Sequence, residues 1–179
     1  VALAAVEAFL GGGQKELSQE LVKQAFGEVA SPGRLELVGD EPPVLLDAAH
    51  NPHGVAASAA AFKEVYAVEE LHLILGILGE KDAEQMLQLL WEEYVQGTES
   101  RVYLHLTRSE SPRAIDPEQL QELALDAGFD ADQLATYEFI PDALNAALTA
   151  AADVPNLNSA VLITGSITIV GEARTLLGL

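Results

Sequence analysis

The 179-residue sequence has no cysteine and few basic residues, and each shortage excludes a class of protein. Without cysteine the chain can form neither a disulfide framework nor a thiolate zinc site, which fits a reducing compartment such as the cytoplasm. Nine Lys and Arg residues stand against 28 Asp and Glu residues, which gives a formal net charge of −19. Binding to nucleic acid or to anionic lipid needs clustered cations, so we expect neither kind of partner.

Long apolar runs are also missing. No segment approaches the roughly 20 apolar residues that cross a bilayer. Residues 1–10 are apolar but lack a basic flank and a small-residue cleavage site, so we expect no signal peptide. A chain of this length buries about 70% of the surface that its unfolded form exposes, enough for one domain without a disulfide or metal. The composition therefore predicts a soluble, acidic, cytoplasmic globular domain.

Short apolar runs alternate with helical stretches over most of the chain. Strands are predicted at 35–38, 44–48, 71–77, 102–107, 136–140 and 160–165. Helices are predicted at 1–10, 17–29, 52–66, 82–95, 117–127, 142–152 and 168–178. This alternation favours an α/β fold with a mostly parallel sheet of about six strands and helices on both faces.

Ser31-Pro32 is the predicted boundary between two parts of the chain, because proline disfavours a helical residue before it. Residues 1–31 hold two helices joined by Gly11-Gly12-Gly13, and Ser18 is the expected N-cap of the second helix. Two helices are too few for a domain, so we expect them to end a preceding segment. Residues 32–179 form the predicted domain.

Ligands of open α/β sheets bind at the carboxyl ends of the strands, and the segment LLDAAHNPHG at 45–54 follows one such end. Asp47 can accept hydrogen bonds from a ribose. His50 and Asn51 add donors beside the positive end of the helix that begins at Pro52, which suits an anion. An ordinary helix cap formed by Asp47 or Asn51 explains the same residues equally well.

Three further segments carry polar residues at a strand or helix end. Arg34, in Pro32-Gly33-Arg34, offers a planar guanidinium that matches phosphate, although a surface salt bridge is the commoner use. In Thr164-Gly165-Ser166 the glycine allows close approach of the backbone, and the serine can bond a carboxylate or cap a helix. Lys81, in GILGEKD at 76–82, precedes a helix, where either a bound anion or simple solvent exposure explains a cation.

Several familiar sites are absent from the sequence. There is no Gly-Lys dipeptide for a Walker A loop, no GxGxxG after a strand and no GxSxG elbow. His72 and His105 fall inside predicted strands, where a packed or edge histidine is more typical than a ligand. His50 and His53 are three residues apart, but nothing else completes a metal site, so we predict none.

Five motifs in this order resemble the C-terminal domain of the folylpolyglutamate synthase/dihydrofolate synthases, members of the Mur ligase family. They are PGRLE at 32–36, LLDAAHNPHG at 45–54, GILGEKD at 76–82, SPRAI at 111–115 and TGSITIVGEAR at 164–174. The resemblance runs over nearly the whole chain and implies a Rossmann-like sheet. The first two helices look like the end of the central ATPase domain of such enzymes.

The resemblance implies an ATP-dependent ligase that adds L-glutamate to dihydropteroate or to folylpolyglutamate. ATP phosphorylates a substrate carboxylate, and the amino group of glutamate then displaces phosphate. In this family the phosphate loop, the Mg²⁺ ligands and the folate surface lie mainly on the central domain, so we expect the present chain alone to be inactive. The C-terminal domain closes over the nucleotide and excludes water.

The resemblance also assigns roles to single residues. Arg34 matches an arginine that contacts the ATP phosphates, Asp47 an aspartate that bonds the ribose, and His50 a histidine beside the nucleotide. Arg34 and His50 are therefore the expected catalytic residues, and all three are expected to bind ATP.

Asn51, Lys81 and Ser166 fall where related ligases hold the carboxylates of the incoming amino acid. Arg113 belongs to an SPR motif that carries no assigned role. Ile167 and Thr168 depart from the family, which more often has a bulky apolar or aromatic pair at these positions.

Two other functions remain open on the sequence. One is a Mur-type ligase that extends a peptidoglycan precursor, although PGRLE together with DAAHNP favours a folate ligase. The other is a nucleotide-binding module without catalysis. A phosphate loop encoded upstream of this chain would distinguish a ligase from such a module.

Overall fold

The computed structural model describes residues 2–12, 16–28, 31–153 and 158–179. It divides into two compact units, Val1–Ser31 and Pro32–Leu179. Val1 and Val29, which the sequence analysis assigned to helices, and Gly13, which it assigned to a turn, lie outside the described residues. Among the described residues, no helix combines the length and the apolarity that a membrane span requires.

The first unit consists of helices α1 (Ala2–Gly11) and α2 (Gln19–Glu28). The Leu17 N–H donates to Oε1 of Glu7 at 3.0 Å, which ties Leu17 to α1. Ser18 Oγ accepts from the Leu21 N–H at 3.2 Å, so the predicted N-cap is confirmed. Large apolar side chains remain exposed on both helices, namely Val6, Phe9, Leu10, Leu21 and Phe26.

The second unit alternates strands and helices, and the predicted α/β class is confirmed. Its strands are β1 (Glu36–Asp40), β2 (Pro43–Leu46), β3 (Glu70–Leu75), β4 (Arg101–Leu106), β5 (Leu134–Thr136) and β6 (Ser159–Thr164). Its helices are α3 (Pro52–Val65), α4 (Ala83–Tyr94), α5 (Pro117–Ala127), α6 (Ile140–Ala152) and α7 (Ile167–Leu176). A short 3₁₀ helix, Ala131–Gln133, precedes β5.

The six strands form one sheet in the order β1-β2-β6-β3-β4-β5. β1 pairs antiparallel with β2, and the other pairs are parallel. β6, the last strand in the sequence, lies between β2 and β3, and Leu162 is in register with Leu45 on one side and Leu73 on the other. The carboxyl ends of the parallel strands therefore meet at one edge of the sheet, here called the carboxyl edge.

Alternate strand residues enter two apolar cores on opposite faces of the sheet. One core holds Leu71, Leu73 and Leu75 of β3 with buried residues of α3, α4 and α5, among them Phe62, Met86 and Leu120. The other holds Ile74, Val161 and Ile163 with α6 and α7, through Ile140, Ala143, Ile169 and Val170. Burial on both faces explains why the central strands are almost continuously apolar in sequence.

The strand predicted at 136–140 is wrong in position. β5 ends at Thr136 and pairs with only three residues of β4, since it is the edge strand. Ile140 instead begins α6, where it is buried against the sheet and is followed by Pro141, which favours a first helical turn. β2 also ends earlier than predicted, so Asp47 lies in the turn after the strand.

A chain of four polar side chains crosses the face of the sheet that α6 covers. His72 Nε2 lies 3.1 Å from Glu70 Oε1, His72 Nδ1 lies 3.0 Å from His105 Nε2, and His105 Nδ1 lies 3.3 Å from the Tyr137 hydroxyl. Because a carboxylate only accepts, neutral rings satisfy every contact when Tyr137 donates to His105, His105 to His72 and His72 to Glu70. The two histidines are thus packed strand residues, as the sequence indicated.

Burial favours the neutral form of both rings. Desolvation lowers the pKa of His72, against the opposing effect of Glu70. Desolvation, with a smaller contribution from His72, lowers the pKa of His105 to about 4. On acidification, the unfolded chain therefore binds protons at both histidines near pH 6.5, whereas the folded chain binds them only at lower pH.

We predict that acid weakens the fold through these histidines. Between pH 6.5 and about 4, His105 is protonated in the unfolded chain and neutral in the folded chain. The free energy of unfolding therefore falls as the pH falls through this range, and above pH 6.5 His105 no longer lowers it. His105 alone contributes up to about 1.4 kcal/mol per pH unit. Urea unfolding at pH 7, 6 and 5 measures this slope.

His105→Gln is expected to flatten the slope between pH 6.5 and 5. The matched control is His53→Gln, because His53 is exposed on α3 and should leave the slope of the unaltered chain unchanged. Equal slopes for His105→Gln and the unaltered chain would contradict the prediction.

Candidate functional site

The turns that follow β2, β6 and β3 are joined through their backbones at the carboxyl edge. The Asp47 N–H donates to the Ile163 carbonyl at 2.9 Å, the Gly165 N–H to the Ala49 carbonyl at 3.1 Å, and the Gly76 N–H to the Thr164 carbonyl at 3.2 Å. The segments that the sequence analysis singled out at 45–54, 76–82 and 164–166 are therefore neighbours. Their contact follows from the position of β6.

Glycine is required where two of these turns touch. Gly165 has a φ of +107°, and a Cβ built there would lie 2.7 Å from the Gly76 carbonyl oxygen and 2.8 Å from Leu75 Cδ1. A Cβ on Gly76 would in turn lie 2.7 Å from Ile169 Cδ1. The Gly76 backbone therefore leaves no space for a side chain at Gly165, whereas a side chain at Gly76 would require the end of Ile169 to shift.

The Pro32-Gly33-Arg34 turn is attached to the same edge. The Ala48 N–H donates to the Gly33 carbonyl at 2.7 Å, and the Gly33 N–H donates to Glu36 Oε2 at 2.7 Å. Arg174 of α7 forms an ion pair with the same Glu36 carboxylate and lowers its pKa. Two ends of the domain, 138 residues apart, thus hold this turn in place.

Arg34 lies on the exposed side of this turn. The next residue, Leu35, has a φ of +42°, which residues other than glycine rarely adopt. Within the part of the chain that the structure describes, no hydrogen bond or ion pair of the Arg34 guanidinium is found.

Asp47 and His50 take different roles in the turn after β2. Asp47 is buried, and its Oδ1 accepts from the Ala49 N–H at 3.1 Å. His50 is partly exposed, and its Nδ1 lies 2.8 Å from the Ala48 carbonyl oxygen. Since a carbonyl only accepts, the Nδ1–H donates, and Nε2 of the neutral ring is left as an acceptor toward solvent.

Asn51 and Ser166 are helix caps. Asn51 Oδ1 accepts from the Gly54 N–H at 2.8 Å and caps α3, which leaves the amide Nδ2 free of recorded contacts in the described residues. Ser166 Oγ accepts from the Ile169 N–H at 3.3 Å and caps α7. Ser166 is only 1% exposed, so its own side chain is not accessible at the surface, and its effect there is on the first turn of α7.

Lys81 lies just before α4, whose N-cap is Asp82. The neighbouring Glu80 is paired with Arg113 at 2.8 Å, and the Gly79 N–H donates to the Arg113 carbonyl at 2.7 Å. Arg113 therefore ties the 111–115 segment to the 76–82 segment, a role that the sequence analysis left unassigned. No anionic partner of Lys81 is found among the described residues.

The sequence analysis missed two groups of contacts at this edge. The first is the ion pair of Glu36 and Arg174, which are the last residues of the motifs at 32–36 and 164–174. The one sequence feature that indicated this contact was an acidic residue two positions after Arg34. The hydroxyls of Ser109, Ser166 and Thr168 lie together although Ser109 comes from the end of β4. Over the described ranges, no group of three His, Cys, Asp or Glu side chains is placed to hold a metal ion.

The family described as "Mur ligase, glutamate ligase domain" matches residues 33–167. The chain belongs to the Mur ligase family. It is 39% identical over 190 residues to the dihydrofolate synthase/folylpolyglutamate synthase of Mycobacterium tuberculosis, covering 99% of this chain and 37% of that protein.

Solved structures of Mur ligases have the same fold. The Mycobacterium tuberculosis folylpolyglutamate synthase complexed with ADP and AMPPCP is 37% identical, with a TM-score of 0.87 over 99% of this chain and 38% of that one. A bifunctional folylpolyglutamate synthase/dihydrofolate synthase with Mn, AMPPNP and L-glutamate bound has a TM-score of 0.75 at 23% identity, over 96% of this chain and 38% of that one, which shows the fold alone. The present chain thus spans less than two fifths of these relatives.

We predict that the carboxyl edge of this Mur ligase domain does not tolerate a side chain at Gly165. Gly165→Ala combines a positive φ with contacts below 3 Å, so we expect a loss of about 2–4 kcal/mol in the free energy of unfolding. The matched control is Gly171→Ala, in α7, where a Cβ meets nothing within 4 Å.

Because alanine is the better helix former, Gly171→Ala is expected to gain up to about 1 kcal/mol. Chemical denaturation of both variants measures the difference. Equal stability of the two variants would contradict the role assigned to Gly165.

Proposed function

We propose that this chain is the C-terminal portion of an ATP-dependent ligase that adds L-glutamate to dihydropteroate or to folylpolyglutamate. The observation that carries the proposal is the distribution of paired and unpaired cations in the second unit. Five of its Lys and Arg side chains have carboxylate partners, namely Lys63, Arg101, Arg108, Arg113 and Arg174. The two without a partner among the described residues, Arg34 and Lys81, both lie at the carboxyl edge.

Unpaired cations are unexpected in a chain with a net charge of −19, where anionic side chains are abundant. Two of them at one edge favour anionic substrates that arrive from outside the domain. A nucleotide triphosphate and a dicarboxylic amino acid are substrates of this kind. The membership of the chain in the Mur ligases, as a glutamate ligase domain, supports the same pair.

On the nucleotide side, Arg34 contacts the phosphates of ATP through its planar guanidinium. Asp47 accepts from the ribose through the carboxylate oxygen that Ala49 does not use. His50 presents Nε2 beside the nucleotide. The hydrogen bond from His50 Nδ1–H to the Ala48 carbonyl fixes the orientation of the ring. The Mycobacterium tuberculosis folylpolyglutamate synthase complexed with ADP and AMPPCP supports a nucleotide substrate.

On the amino-acid side, Lys81 and Asn51 bind the carboxylates of L-glutamate through the ammonium group and the free amide Nδ2. Ser166 contributes through the start of α7, which it caps. The positive ends of α3 and α7 add to the attraction for a carboxylate.

The chemistry explains why cations are needed. A carboxylate is a poor electrophile, so the γ-phosphate of ATP is transferred to one of its oxygens and ADP leaves. The amine of glutamate then attacks the acyl carbon, an amide forms, and inorganic phosphate departs with the former carboxylate oxygen. Arg34 offsets the charge on the phosphates during transfer, and closure of the domain excludes water that would hydrolyse the acyl phosphate.

The remaining machinery lies outside this chain. The phosphate loop and the Mg²⁺ ligands belong to a preceding central ATPase domain of the same polypeptide, of which residues 1–31 are the end. The division of the chain after Ser31 and the exposed apolar residues of α1 and α2 support this arrangement. The absence of cysteine supports a cytoplasmic location.

The experiment that tests the proposal is ATP-dependent incorporation of labelled L-glutamate by the full-length protein, offered dihydropteroate, a reduced folate or a muramyl acceptor. Incorporation into either pterin acceptor is the expected result, and the isolated 179-residue chain should show no turnover. Labelling of only the muramyl acceptor would transfer the function to peptidoglycan synthesis. Bound ATP without any labelled product would indicate a non-catalytic module.

A second prediction concerns Asp47. Asp47→Ala in the full-length protein should raise the KM for ATP roughly tenfold, because a hydrogen bond to ribose contributes about 1–2 kcal/mol. The KM for the folate acceptor should change by less than about twofold, since that substrate does not contact Asp47 in this arrangement. Steady-state kinetics with each substrate varied in turn measures both constants.

The control for this substitution is Asp126→Ala, an exposed carboxylate on α5 that should leave both constants unchanged. A thermal melt of each variant separates loss of binding from loss of folding. An unchanged KM for ATP in folded Asp47→Ala would remove Asp47 from the nucleotide site.

A further inference from the structure

Three hydroxyl groups meet at the start of α7. Ser109, which follows β4, has its Oγ 3.1 Å from Thr168 Oγ1. Ser166, the N-cap of α7, has its Oγ 3.1 Å from the same Thr168 Oγ1. Thr168 therefore sits between two serines from the segments that follow two different strands, β4 and β6.

Either oxygen of each pair could donate, and burial favours the two serines as the donors. Ser109 is 4% exposed and Ser166 is 1% exposed, so neither hydroxyl proton can be given to bulk water. Thr168 is the recorded side-chain partner of Ser109. Ser166 Oγ already accepts from the Ile169 N–H, which leaves Thr168 as the acceptor for its proton.

Both serine protons thus occupy the two acceptor positions of Thr168 Oγ1. The Thr168 proton cannot return to either serine, and no other acceptor for it is found within residues 31–153 and 158–179. Thr168 is partly exposed, so its O–H is a donor held in one orientation at the surface of the carboxyl edge.

We propose that Thr168 donates this hydrogen bond to a carboxylate oxygen of the incoming L-glutamate, and that Ser109 is the residue that positions it. The inference rests on the proposed function and adds a binding residue to its amino-acid side. Ser166 then helps to orient Thr168 and does not contact the substrate itself, which agrees with the burial of the Ser166 side chain.

The segment that carries Ser109 is itself fixed to α7. The Glu110 N–H donates to both oxygens of the Glu172 carboxylate, at 3.0 and 3.2 Å. This contact fixes the chain one residue beyond Ser109 to the helix that presents Thr168. The distance between the two hydroxyls is therefore set by the fold and not by a mobile loop.

The test is the steady-state kinetics of Thr168→Val in the full-length protein, because valine keeps the shape and removes the hydroxyl. We expect the KM for L-glutamate to rise about tenfold, while kcat and the KM for ATP stay within about twofold. Thr168→Ser should restore the KM for L-glutamate to within about threefold of the unaltered protein. Ser109→Ala should raise it about three- to fivefold, because the hydroxyl remains but is no longer oriented.

Thr175→Val is the matched control, since Thr175 is exposed on the same helix and its hydroxyl donates to the Gly171 carbonyl. It should leave all three constants unchanged. Thermal melts identify any variant that fails to fold, and Ser109→Ala, which lies outside the helix, tests the proposal independently of Thr168→Val.

An unchanged KM for L-glutamate in folded Thr168→Val would overturn the inference and leave the proposed function standing. A fall in kcat with an unchanged KM would also overturn it, because a donor to the bound amino acid should act on affinity. Failure of the unaltered protein to incorporate glutamate would overturn both.

Discussion

The position of β6 between β2 and β3 is the constraint on which the carboxyl edge depends. Leu162 pairs with Leu45 on one side and with Leu73 on the other, so the last strand of the chain joins two strands that come more than eighty residues earlier. Its residues are buried on both faces, which makes any shift of register costly. Only with β6 in place do the turns after β2 and β3 meet the Gly165 turn. The site therefore forms through long-range contacts that are expected to be made late in folding.

The fold could be predicted from the sequence where burial alone decides the pattern. Most residues of β3 and β6 are apolar because both faces of the sheet are covered, and the alternation of these strands with helices is sufficient to indicate α/β. β5 could not be placed in this way. It is a three-residue edge strand whose limits depend on the length of its pairing with β4. Ile140 is apolar because it begins a helix against the sheet, and periodicity does not distinguish that use from a strand residue.

The candidate site, like the fold, has features that could be predicted from the sequence and features that could not. Turn residues such as Arg34, Asp47 and His50 stand out in sequence because polar groups follow apolar strands. The side-chain contacts at the carboxyl edge could not be predicted, since Glu36 and Arg174 are 138 residues apart and Ser109 and Thr168 are 59 apart. A single sequence carries no record of which distant side chains meet. What sequence reasoning supplies is the set of groups able to bind, and the fold supplies their orientation.

The two interpretations that the sequence left open for Asn51, a helix cap or a ligand, are compatible once its atoms are distinguished. Oδ1 accepts from the Gly54 N–H, and the geometry of that cap fixes the direction in which Nδ2 points. Ser166 shows the same division in the proposed arrangement, because its oxygen accepts from the Ile169 N–H and caps α7 while its proton is assigned to Thr168. Under the proposed function, capping therefore does not compete with binding at this edge. It removes the rotational freedom of a side chain or of its neighbour before a substrate arrives, and so reduces the entropy that binding must overcome.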